Sequence, residues 1–408
     1  DFVFYYDAVQ PTATITSPAN GFSTNTAINI TGGSSDLGIL SVAATVFVSI
    51  DKSGNGGSDC YNPFTGSGQF NATCPNYFPA GVTTDNWSVT QISWSHSSGG
   101  NARYYITARA SDTANNIQSV FNVDNSSRSF FYDTSGPNIA ISSPASGWNR
   151  IIGFDPIVGT SQDNGPAGVT LVQLRIKRLT TGAPNPRWWN PDPGVNGFDA
   201  TYNDATADGA FFTVLPTAAD WTTWKVSSFS VMSDDFTSGH QYWFMARAKD
   251  ASGNWSASYS SRTVVFDNTL PVSVSTWPAQ GSFVAVNSLS WIGGTMSDLP
   301  AAVDPGAVGA ANCVKVRLQR LTDSQHWNNN NQWVPSATLN DSCVNNPGGE
   351  VGVATQYVGV GTWTVIAALP QAHIDLINGN TYYLTTASRD NTDGTPNTEL
   401  WNVSASTF

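Results

Sequence analysis

The stretch that decides the fold reads FYYD at residues 4–7, followed by PTATITSPANG at residues 11–21. Two more copies of this phrase occur along the chain: FFYD with PNIAISSPASG at residues 130–147, and VVFD with PVSVSTWPAQG at residues 264–281. Shorter phrases between the copies also recur in the same order, such as the pair ARASD and ARAKD. Recurrence in a fixed order indicates a repeated structural unit.

The repeat divides the chain into units. The phrase returns at intervals of roughly 130 residues, which suits a domain of ordinary size. In each copy an Asp directly precedes a strand that Pro opens, and we place each boundary at that Asp. The predicted segments are an orphan strand at residues 1–6, equivalent to the last strand of a preceding unit, and three domains at residues 7–133, 134–267 and 268–408.

Alternating residues predict β-strands throughout the chain. Val172, Leu174 and Ile176 alternate with polar residues, a period of two that buries one face of a strand. Residues 314–319 alternate in the same way. The strand candidates are short and are bounded by Gly, Pro, Asn and Asp, and no convincing helical pattern is longer than two turns. About seven strands per unit predict a β-sandwich.

One combination of motifs resembles a known family. The pattern P-x-x-x-I-x-S-P-A-x-G at residues 11–21, with the later ARAKDASGN at residues 246–254, is similar to bacterial immunoglobulin-like repeats of large surface and secreted proteins. The resemblance implies an all-β chain, a tandem array of three immunoglobulin-like β-sandwich domains. It covers the edges of all three units, and it identifies a fold rather than a function.

Composition limits the classes of partner. The chain has 12% aromatic and 11% charged residues, which is typical of a folded chain and not of a disordered one. The formal net charge of −12 argues against a nucleic-acid partner, because phosphate binding needs a basic surface. No stretch approaches the ~20 apolar residues of a membrane span.

The four cysteines fall into two local pairs, Cys60 with Cys74 and Cys313 with Cys343. Neither pair has the spacing or the nearby histidines of a zinc site. The pattern predicts two disulfides and therefore an oxidising compartment, so that the chain is expected to be secreted or on a cell surface. The alternative is that these residues are buried free thiols.

Long inserts depart from the shorter repeats of the family. They precede the strands that carry Trp87, Trp224 and Trp363, and they run roughly over residues 51–85, 180–220 and 322–362. Four of their aromatic residues are candidates for sugar binding: Trp188, Trp189, Trp327 and Trp333. The alternative is that these side chains pack on the sandwiches or on a neighbouring domain, which is the usual fate of large aromatic residues.

No motif predicts catalysis. The four histidines lie at unmatched positions of the repeats, and the sequence has no nucleophile motif and no paired-carboxylate pattern. We therefore expect a protein that is not an enzyme. Two functions remain open: a structural element such as a stalk, sheath, surface layer or filament component, and an adhesin module that binds carbohydrate or a host surface. The structural class is favoured because aromatic anchors are also typical of protein interfaces.

Residues 1–6 predict self-association. Their four large apolar side chains match the last strand of each later unit, and such a strand should not remain in water. It either packs on its own first domain or adds to the sheet edge of a neighbouring molecule. The expected partner is therefore the chain itself, in a homo-polymer or a longer array.

Three recurrent aspartates predict calcium sites. In an immunoglobulin-like sandwich the linker before the first strand, the end of the second strand and the end of the sixth strand meet at one pole. The resulting triplets are Asp7, Asp36 and Asp112; Asp133, Asp163 and Asp250; and Asp267, Asp298 and Asp390. Gathered carboxylates repel one another unless a cation neutralises them, and calcium accepts such oxygen ligands. The alternative is that each Asp caps a turn through its own backbone.

Overall fold

The computed structural model describes residues 3–37, 45–53, 57–64, 69–83, 85–94, 101–149, 157–179, 187–192, 197–199, 201–226, 236–238, 240–285, 289, 291–297, 313–327, 332–335, 355–357, 362–365, 376–389, 399–401 and 404–407. Strands dominate these residues, as the alternating pattern predicts. Within the described ranges, no helix has the length and apolar character needed to cross a membrane.

The first unit is built from two sheets. Its strands are β1 (Thr12–Ser17), β2 (Phe22–Thr24), β3 (Ile30–Ser35), β4 (Thr45–Asp51), β5 (Cys60–Asn62), β6 (Gln69–Ala72), β7 (Phe78–Pro79), β8 (Gly81–Thr83), β9 (Asn86–Val89), β10 (Ala102–Ser111) and β11 (Ser127–Tyr132). The smaller sheet has the order β1-β3-β9-β8, and the larger has the order β2-β11-β10-β4-β5-β6 with β7 also on β4. Strand β2 is parallel to β11, and the other pairs are antiparallel.

The second unit repeats this topology. Its elements are β12 (Asn138–Ser143), β13 (Gly147–Asn149), β14 (Val158–Gln162), β15 (Val169–Leu179), β16 (Arg187–Asn190), β17 (Gly197–Asp199), a short 3-10 helix (Ala207–Ala210), β18 (Phe212–Thr213), β19 (Leu215–Pro216), β20 (Thr223–Lys225), β21 (His240–Asp250) and β22 (Ser260–Phe266). The sheets have the orders β12-β14-β20-β19 and β13-β22-β21-β15-β16-β17, with β18 on β15.

The third unit follows the same plan. Its strands are β23 (Val272–Trp277), β24 (Ile292–Ser297), β25 (Cys313–Arg320), β26 (Gln325–Trp327), β27 (Trp333–Val334), β28 (Thr355–Tyr357), β29 (Thr362–Val365), β30 (Tyr382–Arg389) and β31 (Ser404–Thr407). The sheets have the orders β23-β24-β29-β28 and β27-β26-β25-β30-β31. The chain is therefore an all-β tandem array of three immunoglobulin-like sandwiches, as the repeat predicts.

Each core lies between the two sheets of its unit. In the first unit Val46, Val48 and Ile50 project from β4, and Ala13 and Ile15 project from β1. All five side chains are buried because alternate residues of a strand share one face. The other two units have equivalent core clusters.

The inserts extend the sheets of the sandwich. Strands β5 and β6 continue the larger sheet of the first unit beyond β4, and β16 with β17, and β26 with β27, do the same in the other two units. These strands have two to four residues each. Such short segments are too brief to show the alternation of apolar and polar residues that marks a strand. In the sequence they are therefore visible only as insertions.

The N-terminal segment lies in solvent. Val3, Phe4, Tyr5 and Tyr6 belong to no strand of the described residues, and between 67% and 87% of each side chain is exposed. The suggestion that this segment packs on its own first domain is therefore wrong. The equivalent residues of the second copy, Phe130–Tyr132, complete β11, which lies between β2 and β10 in a sheet.

In the first and third units a buried side chain accepts hydrogen bonds at the open edge of the first strand. In the first unit Gln118 Oε1 accepts hydrogen bonds from the amides of Ala13 (2.8 Å) and Ala110 (3.2 Å). In the third unit Glu399 takes the equivalent position, and its Oε2 accepts four bonds from the amides and hydroxyls of Ser273 and Ser388, at 2.6–2.9 Å. The buried carboxylate joins the two sheets and occupies donors that would otherwise attract another strand.

We predict that Glu399→Ala lowers the unfolding free energy of the third unit by about 2–4 kcal/mol, because four buried donors lose their acceptor. Glu399→Gln should lose less, since an amide oxygen can still accept, as Gln118 does. Leu400→Ala is the control, because the side chain of Leu400 is 73% exposed. Calorimetric unfolding of the full chain measures the effect, and equal profiles for Glu399→Ala and Leu400→Ala would contradict it.

Candidate metal centres at the domain junctions

The linker aspartates shape the entry to each unit. Asp7 Oδ1 accepts the amide hydrogen of Val9 at 3.0 Å, and Asp133 Oδ1 accepts that of Ser135 at 3.0 Å. Asp267 Oδ1 accepts the amide hydrogen of Thr269 at 3.1 Å, and also the hydroxyl of Ser238 at 2.9 Å. Each linker therefore begins with the same Asx turn, so that turn capping is part of the role of these residues.

In the first unit three carboxylates lie together at the pole where the linker enters. Asp36 directly follows β3, Asp112 directly follows β10, and Asp7 comes from the linker. One carboxylate oxygen from each lies within 4.8 Å of the other two. Asp36 and Asp112 are buried, so that little water screens their charges.

The second unit forms the same arrangement. Asp133, Asp163 and Asp250 each contribute an oxygen to a cluster that also lies within 4.8 Å. The Asp133 side chain is fully buried. Burial raises the pKa of its carboxyl above the ordinary value; hydrogen bonds from Ser135 and Ala167 lower that pKa, and the charge of Asp163 raises it. The charged form is therefore disfavoured in the absence of a cation.

A glycine makes room for this cluster. A Cβ atom on Gly165 would lie 1.9 Å from Asp133 Oδ2, so that any other side chain would collide with the carboxylate. The amide of Gly165 also donates to Asp163 Oδ1 at 3.0 Å. The loop after β14 is thus shaped closely around the acidic group.

Two asparagines hold the clusters in place without offering their oxygens. Asn116 Nδ2 donates to Asp112 Oδ2 (2.7 Å) and to the backbone carbonyl of Asp7 (3.1 Å). Asn254 Nδ2 donates likewise to Asp250 Oδ2 and to the carbonyl of Asp133, both at 2.8 Å. The nitrogens of both amides therefore face the carboxylates and fix the linker to the unit.

The second cluster is connected to the first unit. Asn25, which follows β2, donates through Nδ2 to Asn254 Oδ1 at 3.0 Å. Asn101 of the first unit accepts the amide hydrogen of Thr134 in the linker at 2.8 Å. A rigid cluster at this pole would therefore restrain the preceding unit as well.

The donor set fits a hard cation such as calcium. All the candidate ligand atoms are carboxylate oxygens, which calcium prefers. Asp7 Oδ2 is buried and has no hydrogen-bond partner among the described residues. A third acidic group consists of Asp51, Cys60 and Cys74, but it is not a comparable site because its two sulfur atoms are bonded to each other.

The third triplet cannot be compared with the first two. Asp298 and Asp390 lie outside the described residues. Asp267 is buried and accepts bonds from Ser238 and Thr269, as described above. Calcium binding at Asp267, Asp298 and Asp390 remains a prediction from the sequence.

One of the two predicted disulfides lies within the described residues and the other does not. Cys60 and Cys74 are bonded, and the bond closes the insert of the first unit. This agrees with the prediction from their local spacing. Cys343 lies outside the described residues, so that the pair Cys313–Cys343 remains a prediction.

Three of the four tryptophans proposed for sugar binding are buried inside the units. Trp188 and Trp189 are each 2% exposed, and Trp327 is 3% exposed. Trp189 meets Phe198 edge-on at 5.4 Å between ring centroids, and Trp327 meets the half-buried Trp333 in the same way at 5.3 Å. The three buried rings cannot stack on a sugar, which supports the packing interpretation for them. The half-buried Trp333 packs on Trp327 and on Tyr382.

The chain has similar solved structures at low sequence identity and low TM-score. No protein-family model and no curated protein sequence matches the chain. Similar solved structures include a 1.5-MDa bacterial ice-binding adhesin studied for host cell surface retention, with 13% identity, 93% of this chain and 89% of that chain covered, and a TM-score of 0.31. A Ca²⁺-stabilized adhesin of an Antarctic bacterium, which binds ice, has 14% identity, 98% and 73% coverage and a TM-score of 0.29. Three domains of the bacteriophage RB49 Hoc capsid protein have 9% identity, 98% and 97% coverage and a TM-score of 0.33.

We predict that Gly165→Ala destabilises the second unit by about 1–3 kcal/mol, because the new methyl group overlaps the Asp133 carboxylate. Gly57→Ala is the matched control, since a Cβ atom there would meet nothing within 4 Å. Thermal unfolding of the two variants measures the difference. Unchanged unfolding of Gly165→Ala would show that the loop and Asp133 are not in contact.

Proposed function

We propose that the chain is a non-enzymatic, extracellular structural array in which calcium stiffens the junctions between successive sandwiches. The observation that carries this proposal is the recurrence of one three-carboxylate cluster at the entry pole of the first two units. Isolated turn caps need no second or third carboxylate nearby. Each cluster joins the linker to the ends of two strands. These elements must be held in place if the junction between two units is to be stiff.

The charges support the proposal further. Three carboxylates within 4.8 Å of one another repel strongly when buried. The Asx turns and the asparagine amides stabilise these carboxylates in part through hydrogen bonds. A divalent cation would neutralise most of the remainder and would tie Asp133 to Asp163 and Asp250. Because Asn254 connects that cluster to Asn25, the cation would restrain two units at once.

Thermal unfolding in calcium and then in chelator tests the binding. A site that binds only the folded state adds ~2.7 kcal/mol at 100 times its Kd, so we expect a higher melting temperature in calcium. Asp133→Asn should remove the share of this shift that the second unit contributes. Asp220→Asn is the matched control, because Asp220 caps an Asx turn at Thr222 and belongs to no described cluster.

Two results would refute the calcium sites: no calcium-dependent change in the wild type, or an undiminished change in Asp133→Asn. Stiffening is measured separately by small-angle scattering of the full chain. Calcium should increase the maximum dimension and narrow the distribution of sizes. If calcium binds but the scattering does not change, the metal sites are supported and their role in stiffening the array is contradicted.

We also propose that Val3–Tyr6 add as a strand to an open sheet edge on a second copy of the chain. The last-strand position of each unit is already filled by β11, β22 or β31, so that the added strand pairs at an outer edge of a sheet. Burial of these exposed apolar side chains supplies the driving force.

The double variant Phe4→Ser/Tyr6→Ser should shift the full chain toward monomer in sedimentation velocity, since it removes two of the apolar anchors of the strand. The control is Leu37→Ser, which changes a side chain that is 93% exposed elsewhere on the same unit. A wild-type chain that is monomeric at all concentrations, or a double variant that associates like the wild type, would contradict the proposal.

A further inference from the structure

The outer face of the smaller sheet in the third unit differs from its counterparts. Trp277 on β23 lies opposite Gly293 on β24. The equivalent pairs are Ser17 with Thr31 in the first unit and Ser143 with Val158 in the second. The third unit therefore has a large aromatic residue and a glycine where the other two have side chains of modest size.

The glycine gives a second indole a place to lie. A Cβ atom on Gly293 would be 2.6 Å from Cζ3 of Trp291 and 2.8 Å from the backbone oxygen of Trp363, so that the Trp291 ring and the neighbouring strand together cover the position a side chain would fill. The rings of Trp277 and Trp291 are stacked, with centroids 5.9 Å apart and planes 23° apart. Neither ring belongs to the core cluster of the unit, and Trp291 is 40% exposed.

The surroundings of the two indoles are uncharged and combine valine side chains with hydroxyl groups. Val272, Val274, Thr295 and Ser297 are exposed on the same face, because Val272 pairs with Ser297 and Val274 with Thr295. Strands β23, β24 and β29 contain no charged residue. The face thus offers aromatic surface and hydroxyl groups within a chain whose net charge is −12.

We propose that this Trp277–Trp291 face binds a neutral polysaccharide. The C–H-rich face of a pyranose ring carries weak positive charge and stacks on the negative face of an indole, and threonine and serine hydroxyls exchange hydrogen bonds with sugar hydroxyls. The absence of cationic side chains on these strands disfavours an acidic glycan, which the charge of the whole chain would also repel. The inference goes beyond the structural role and does not depend on calcium.

Native gel electrophoresis of the full chain, in gels that contain hydroxyethyl cellulose, galactomannan or alginate, tests the proposal. We expect at least one of the two neutral polymers to retard the wild type, and alginate not to do so. Trp291→Ala should weaken the retardation about 10-fold or more, as the loss of a central aromatic anchor does. Gly293→Thr should have the same effect while it retains both indoles, because it restores the side chain of the first unit and displaces the Trp291 ring.

Trp255→Ala is the matched control. Trp255 is 37% exposed in the second unit, so that its removal deletes a comparable surface indole away from the face. Circular dichroism and melting curves establish that each variant is folded, and any variant that is not folded is replaced by Trp291→Ser or Trp277→Ala. The proposal is overturned if neither neutral polymer retards the wild type, if Trp255→Ala weakens binding as much as Trp291→Ala, or if folded variants of the face bind like the wild type.

Discussion

Each sandwich depends on a tryptophan whose ring lies against a glycine on the adjacent strand. Trp87 faces Gly32, Trp224 faces Gly159 and Trp363 faces Gly294. A Cβ atom at these glycines would lie between 2.1 and 2.6 Å from the ring, so that only glycine leaves room for it. The three tryptophans are buried, and the nitrogens of Trp87 and Trp363 donate to backbone carbonyls of the facing strand. This contact fixes the second strand of each unit against the core. It also fixes the position of the acidic residue, because Asp36, Asp163 and Asp298 each follow their glycine at the same interval.

The placement of these aspartates creates an electrostatic problem that hydrogen bonds only partly solve. The amides of Val9 and Ser135 and the side chains of Asn116 and Asn254 each stabilise one carboxylate. None of them adds a positive charge. Buried like charges at this separation remain unfavourable. Burial is the main reason why the pKa of Asp133 is raised, and the charge of Asp163 raises it further. The same residues that cap turns are therefore arranged so that a cation would strengthen the entire entry pole, and turn capping and cation binding are compatible functions of one group.

The sequence predicted the parts of this architecture that repeat. The triple phrase gives the three sandwiches, the alternation at Val172–Ile176 gives β15, and the order of the elements brings Asp7, Asp36 and Asp112 together. It could not predict the strands of the inserts, which are too short to show a period. Nor could it orient the amides of Asn116 and Asn254, because hydrogen-bond direction depends on neighbours far away in the sequence. The burial of Trp188 was equally hidden, since it depends on a 3-10 helix from the insert, where Ala207 and Ala210 pack against the ring.

The position of Trp277 shows how such a repeat can acquire a second function. The register of β23 shifts between Ser275 and Trp277, and the first strands of the other two units shift at the equivalent place. The shift turns the residue before the following proline outward, where it is free of the core. The core therefore requires a glycine at residue 294 opposite Trp363, whereas the outward pair can differ without disturbing that contact. A serine there serves the first two units, and a tryptophan with Gly293 beside it gives the third unit a surface for recognition without any change to the joints that hold the array together.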